Sequence, residues 1–330
     1  MSGGATTGIL APAKVNLGLR VTGVRPDGYH DLDSLLLPLD LADHLQIAVE
    51  PSGAPEVRCV VTRRPGVPGC APTGEANLAA RAARSFLARA GLSIRVDLEL
   101  EKRIPSPGGL GGGSSDAAAV LRALAARFPD ALELAALREL ALSLGADVPF
   151  FLGPDGAGPA PARIGGIGER IEPAAGVPAL SLALVHPGPS LETSRVYAEF
   201  DAGAGSLTGP GGAPTMPALQ GPHGAEGSPD PDCWRSADWL SKRVANDLEP
   251  AARRLCPAIG SAREALAASG AWAVGLSGSG PTLFGIFPDA PAASRALEGA
   301  PLRAYAASRP SGGPGGWVGV ARTVASKAEA

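Results

Sequence analysis

The stretch Pro105–Leu121, PSPGGLGGGSSDAAAVL, places five glycines in six positions and then runs into two serines, an aspartate and an alanine-rich helical pattern. Glycine lets the backbone take positive φ and come close to a ligand. Ser114, Ser115 and Asp116 are good capping residues for a helix start, where orphan N–H groups and the macrodipole attract anions. The junction therefore reads as a phosphate cradle. It is not a Walker A loop, because that motif needs a Gly-Lys pair and no glycine in the chain is followed by lysine. The dinucleotide fingerprint is matched only loosely: Gly109 and Gly111 are followed by Ser114 instead of a third glycine, and no opening βαβ unit surrounds them. In a chain with 45 Gly and 33 Pro, a glycine run alone is equally a turn or a flexible loop. The ordered exit SSDAAAVLRALAARF sets this one apart.

On the N-terminal side, Ile9–Val21, His44–Val49, Glu56–Val61 and Ile94–Leu100 have the β-branched or alternating character of strands. Helical spacing covers Asn77–Ala90, Ser114–Phe128 and Ala131–Leu144, with Gly145 where a C-cap glycine belongs. Strands, helix, strand, glycine loop and two helices together predict an α+β sandwich. From about Gly153 to Gly166 the chain turns rich in Gly, Pro and Ala, and a second mixed region follows. Its strands are predicted at Leu180–Val185, Trp272–Leu276, Leu283–Phe287 and Trp317–Ala321, and its helices at Ser241–Cys256 and Ser261–Ser269. Residues 202–232 are a low-complexity insertion that cannot bury a core and read as a surface loop.

A length of 330 residues exceeds a single core, so two domains are expected. Hydrophobic residues make up 45% of the chain and the net charge is −3, a balance that offers neither a basic nucleic-acid face nor a polybasic membrane patch. Cys59, Cys70, Cys233 and Cys256 form no C-x-x-C pair and no disulfide framework. The N-terminus carries no signal-like segment and no apolar run spans a membrane, so a cytoplasmic protein is expected.

Only four of the 29 basic residues are lysines. One of them, Lys14, stands inside the apolar strand Ile9–Val21. It is either a strand-edge lysine with its ammonium in water or a cation placed beside a reacting hydroxyl or phosphate. Asp27-Gly28 forms a hairpin-like turn that presents Tyr29 and His30. These two are either ordinary turn residues or a stacking ring and a hydrogen-bonding edge for a flat ligand. In LSLGADVPFFLG, Asp147 is either a loop or capping aspartate or a partly desolvated general base. The late GLSGSGPTLFGIF is either a tight strand connection or a second wall of a phosphate pocket.

In their order and spacing, APAKVNLGL, PDGYH, PSPGGLGGGSSDAA, LGADVPFF and SGSGPTLF resemble the GHMP small-molecule kinases, from about Ala11 to Phe287. The glycine loop indicates the superfamily alone. PDGYH and GADVPFF carry a resemblance to its branch in non-mevalonate isoprenoid synthesis, which acts on a small molecule, cytidine diphosphate-linked methylerythritol. The resemblance implies an α+β, two-domain GHMP kinase architecture with ATP and substrate in the cleft between domains. Its N-terminal domain, over 1–170, would be like domain 2 of ribosomal protein S5 and carry the ATP phosphate loop. The C-terminal domain, over 171–330, would be ferredoxin-like.

The resemblance also implies roles for residues. Lys14 and Asp147 would be the catalytic pair, with Asp147 taking the hydroxyl proton. Pro105, Ser106, Pro107, Gly108, Gly109, Leu110, Gly111, Gly112, Gly113, Ser114 and Ser115 would wrap the phosphates of ATP, supplied with Mg2+. Asn77 and Lys102 would approach the adenosine. Tyr29 and His30 would hold the cytidine, with Tyr197 on the opposite face of the base, and Asn16 and Thr193 would contact substrate. Pro107 stands where the family has glycine or alanine. It lacks an N–H and fixes φ, so phosphate donors are expected from Gly108 onward.

Overall fold

The computed structural model describes residues 6–69, 71–203, 231–307 and 316–326. Cys70, Lys327 and most of the 202–232 insertion lie outside the described residues. The first half runs β1 (Thr7–Val24), β2 (His30–Pro51), β3 (Glu56–Arg63), α1 (Leu78–Ala90), β4 (Ile94–Lys102), α2 (Gly112–Arg127), α3 (Leu134–Leu144) and α4 (Val148–Leu152). Then follow β5 (Ala162–Gly166), β6 (Arg170–Pro173), β7 (Ser181–His186), α5 (Thr193–Gly203), α6 (Ala237–Ser241), β8 (Ala245–Asn246) and α7 (Glu249–Leu255). The last elements are α8 (Ala258–Ala268), β9 (Ala273–Leu276), β10 (Leu283–Phe287), α9 (Ala290–Glu298), α10 (Ala300–Ala307) and β11 (Trp317–Arg322). The chain packs as two compact units that interleave in sequence. The first draws on residues up to Ala13, on Leu41–Ser106 and on Gly111–Pro159; the second on Lys14–Asp40, Pro107–Leu110 and the chain from Ala160.

In the first unit, β2 pairs antiparallel with β4, from His44 opposite Glu101 to Pro51 opposite Ile94, and β3 lies parallel to β4 on its other edge. The period of two in β4 turns Val96, Leu98 and Leu100 inward and leaves Glu99 outside. α1 is capped by Asn77, whose Oδ1 accepts from the N–H groups of Ala79 and Ala80, and it ends on Gly91 at φ 64°. Its buried stripe of Ala79, Ala80, Ala82, Ala83, Phe86 and Leu87 packs on α2, where Ala117–Leu121 are buried without a break. Small alanines on both helices permit this close approach.

In the second unit, the start of β2 pairs antiparallel with β5, β5 pairs with β6, and β1 runs parallel to the short β8. A separate antiparallel sheet has the order β11-β7-β10-β9. All six residues of β7, SLALVH, and all five of β10, LFGIF, are buried. Leu19, Val185, Leu248, Ile259, Leu276 and Phe287 belong to one core in this unit.

Most predicted elements are present, with several departures. β2 begins at His30, well before the predicted His44. The Gly, Pro and Ala-rich stretch holds a strand, β5, and Ser241–Cys256 is not one helix but the end of α6, β8 and α7. α4, β6, α5, α9 and α10 were not predicted. α2 begins at Gly112, two residues before the expected Ser114.

Candidate active site

β1 is buried continuously from Ala13 to Leu19, so Lys14 is no strand-edge lysine: it is 3% exposed. A buried ammonium needs acceptors. Lys14 Nζ donates to Asn16 Oδ1 at 2.5 Å and to the Gly109 carbonyl at 3.0 Å. Ser277 Oγ donates to the same carbonyl at 2.9 Å and accepts the Asn16 N–H at 3.4 Å, which closes a ring of four groups. Asn16 Nδ2 donates to Ser34 Oγ, and Ser34 Oγ donates to the Gly18 carbonyl. The lysine is thus held in place at both ends of its environment, by its own strand and by the glycine run.

Four successive carbonyls of that run are anchored. Pro107 O accepts from His186 Nε2, Gly108 O from Thr282 N, Gly109 O from Lys14 and Ser277, and Leu110 O from Lys14 N. His186 Nδ1 accepts the Gly188 N–H, which fixes the tautomer that donates to Pro107. The N–H groups of Gly108, Gly109 and Leu110 donate to no acceptor among the described residues. Gly109, at φ 73°, is required: a Cβ there would lie 2.1 Å from the Ser277 carbonyl.

Within the first unit, Gly111 at φ 72° is the N-cap of α2, and no side chain caps this helix. Ser115 N–H to Gly111 O, 2.9 Å, closes the first helical turn. Ser114, Ser115 and Asp116 are therefore inside the helix and not its caps, a correction to the sequence reading. The change leaves the N–H groups at the helix start without a side-chain acceptor among the described residues, which suits an anion better than a capped start would.

Asp147 is half-buried and directly precedes α4, whose Pro149, Phe150 and Phe151 are all buried. The two phenylalanine rings meet edge to face at 5.1 Å, and Gly145 O accepts the Val148 N–H, so the aspartate sits on a fixed turn. Asn77 spends both ends of its amide on the chain, capping α1 and donating from Nδ2 to the Pro72 carbonyl at 2.8 Å. Lys102 is buried with its ammonium bound by Asp43 and Asp116.

At the turn between β1 and β2, Gly28 has φ 85° and Tyr29 is 62% exposed. The His30 ring instead packs on α5: its centroid is 4.6 Å from that of Tyr197, tilted by 32°, and 6.2 Å from that of Phe200. His30 Nε2 and Asp201 Oδ1 are 2.8 Å apart. Tyr197 and His30 are thus in contact with each other, with no space for a third ring between them. Thr193, at the start of α5, shares a 2.9 Å hydrogen bond with Ser279.

The model of the GHMP kinases N terminal domain matches residues 77–153 and that of the GHMP kinases C terminal matches 234–306. A 4-diphosphocytidyl-2-C-methyl-D-erythritol kinase of Anaeromyxobacter dehalogenans (strain 2CP-C) is 43% identical over 96% of this chain and 90% of its own length. The chain belongs to the 4-diphosphocytidyl-2-C-methyl-D-erythritol kinase family. The kinase of that name from Deinococcus radiodurans is 39% identical over 94% of this chain and 91% of its own length. A crystal structure of 4-(cytidine 5'-diphospho)-2C-methyl-D-erythritol kinase superposes with a TM-score of 0.69 at 37% identity, covering 96% of this chain and 99% of that one. Membership in this kinase family implies ATP as phosphate donor. No helix among the described residues is long and apolar enough to cross a membrane.

For a member of this family, the sequence reading missed Ser34, His186, Ser277 and Thr282, which hold Asn16 and the glycine run in position. Ser277 and Thr282 fall in the GLSGSGPTLF segment, so the signal was present. The residues act on the loop's carbonyls, a role that only the fold reveals.

Proposed function

We propose that this protein transfers the γ-phosphoryl group of Mg-ATP to the 2-hydroxyl of 4-diphosphocytidyl-2-C-methyl-D-erythritol, giving the 2-phosphate used in non-mevalonate isoprenoid precursor synthesis. The observation that carries the reading is the buried Lys14 ammonium, bonded to a carbonyl of a glycine run whose N–H groups have no acceptor among the described residues. Phosphoryl transfer demands little covalent chemistry from the protein and much positioning and charge stabilisation. A fixed cation and a row of N–H donors without an acceptor among the described residues supply both.

In this reading the N–H groups from Gly108 onward and those at the start of α2 bind the phosphates. Asp147 accepts the proton of the attacking hydroxyl, and Lys14 steadies the negative charge that develops on that oxygen. Mg2+ arrives with the nucleotide as part of the substrate. The cytosine stacks on Tyr29 or on the outer face of the His30–Tyr197 pair, and Asn16 and Thr193 meet the rest of the acceptor.

An assay offering the cytidine acceptor, homoserine and mevalonate tests the substrate, and turnover of mevalonate alone overturns the proposal. Asp147→Asn tests the base. It is expected to lower kcat by about 10²–10⁴-fold while nucleotide binding persists. Unchanged turnover removes Asp147 from that role.

A further inference from the structure

Three ionisable side chains in the first unit, Asp43, Lys102 and Asp116, form a cluster to which the phosphoryl-transfer chemistry gives no task. None is more than 4% exposed at its side chain. The inward alternation of β4, Val96, Leu98 and Leu100, ends on Lys102. Its Nζ donates to Asp43 Oδ2 and, at 2.6 Å, to Asp116 Oδ2. Asp43 Oδ1 accepts from the backbone N–H groups of Arg103 and Ile104, the latter at 2.9 Å. The cluster therefore joins β2, the exit of β4 and the first turns of α2.

Such a cluster is a poor device for stability alone. Buried ions carry a desolvation penalty that apolar side chains of the same volume avoid. Here two carboxyl groups share one ammonium, and Asp116 Oδ1 has no hydrogen-bond partner among the described residues. Burial accordingly pushes the Asp116 carboxyl up, to about 7, against the pull of Lys102. What the cluster does provide is fixed geometry. Arg103 and Ile104 directly precede the loop at Pro105, and Asp116 directly follows it at Ser115. The two sides also approach closely, since a Cβ on Gly112 would lie 3.2 Å from Ile104 Cγ2 and 3.4 Å from Asp43 Oδ2.

We propose that Asp43, Lys102 and Asp116 are positioning residues for the nucleotide, clamping the chain before and after the glycine run so that the N–H groups opening α2 are held where the phosphates bind. The proposal rests on the ATP reading of the loop. It gives Lys102 an indirect part in nucleotide binding, through Asp43 and the backbone, in place of contact with adenosine.

The test uses Asp43→Asn, Asp116→Asn, Lys102→Met and Lys102→Arg in the full chain, with KM measured separately for Mg-ATP and for the cytidine acceptor. A loop displaced by an ångström costs up to about 100-fold, so Asp43→Asn is expected to raise the KM of Mg-ATP about tenfold or more while that of the acceptor stays within about twofold. Asp116→Asn, which keeps an oxygen for Lys102, shifts the same constant by a smaller factor, and Lys102→Arg retains more ATP affinity than Lys102→Met. Should Asp43→Asn not fold, Asp116→Asn carries the test. A KM for Mg-ATP unchanged in every folded variant overturns the proposal, whatever happens to thermal stability. Gly111→Val separates the two readings: if it too leaves the KM of Mg-ATP unchanged, the loop is no nucleotide site and both fall. If it raises that KM and the triad variants do not, only the triad falls.

Discussion

Lys14 and Tyr29 stand on the same strand hairpin, one deep in β1 and the other at its tip, and their surroundings differ in every respect. Lys14 is 3% exposed and sits in a closed ring of hydrogen bonds, whereas Tyr29 is 62% exposed on a glycine turn. The chemistry asked of each accounts for the difference. Charge developing during phosphoryl transfer is stabilised only by groups already in place, and such groups gain strength where water is excluded. A nucleobase is recognised by its flat face, and an exposed ring can adapt to it at small entropic cost. Under the proposed function, the buried end of the hairpin should therefore govern kcat and the exposed end KM for the acceptor.

Lys14→Met tests the first half most severely. It keeps the length and apolar stem of the side chain and removes the charge, leaving Asn16 Oδ1 without its donor and Gly109 O with Ser277 alone. By analogy with the loss of one transition-state donor, kcat should fall about 10²–10³-fold, with a change in KM for Mg-ATP much smaller than that. If instead KM rises and kcat holds, the lysine is a binding group and the contrast between the two ends of the hairpin disappears.

That contrast was only half legible in the sequence. The helix that follows Asn77 and the glycine run leading into a second helix are local signals, and the fold has both there; the place of Lys14 was left open between a strand edge and a fixed cation, and its burial decides it. Lys102 extends the period of two of β4 beyond the predicted strand Ile94–Leu100, and its partner Asp43 is 59 positions away. β2 was read too short because its centre, Ser34 to Leu39, is buried on both faces and so shows no alternation. Asp33 looks like a loop residue until Arg163, on β5, is seen to grip both its oxygens at 2.7 Å. The start of α2 was misplaced for a different reason: serine is the commoner cap, but Gly111 at positive φ takes that position in the fold. His30 and Asp201 meet only through the placement of α5, an element the sequence reading lacked.

The buried side of the comparison has a thermodynamic test in the other unit. With its carboxyl pushed up to about 7 by burial, folded Asp116 keeps a proton that the unfolded chain releases near the ordinary carboxylate value of 3.8. Between those two values the folded state binds more protons, so stability falls as pH rises through that window and is greatest below it. Asp116→Asn has no such proton to lose. Urea midpoints at about pH 5 and pH 8 should thus show the parent losing stability relative to the variant at the higher pH. Parallel pH profiles for the two proteins would mean that the cluster absorbs its charge without cost.

Tyr29→Ala probes the exposed end and should have the smallest effect of the three. The side chain contributes little to the core, and the turn is held through the backbone of Tyr29 and not its ring: Tyr29 O accepts from Arg25 N at 2.7 Å, and Tyr29 N donates to Asp27 Oδ1 at 3.1 Å. Removing the ring therefore should not move the unfolding temperature. Stacking of a base on an aromatic ring is worth about 1–3 kcal/mol, which corresponds to a rise in acceptor KM of about 5- to 150-fold; solvent exposure of Tyr29 places the expectation at the low end. kcat and the KM of Mg-ATP should stay within about twofold of the parent, because no transition-state contact is lost. A kcat defect as large as that of Lys14→Met would show that the tip also aligns the reacting hydroxyl. The division of labour along the hairpin would then have to be redrawn, with the exposed ring ordering the acceptor for transfer as well as capturing it.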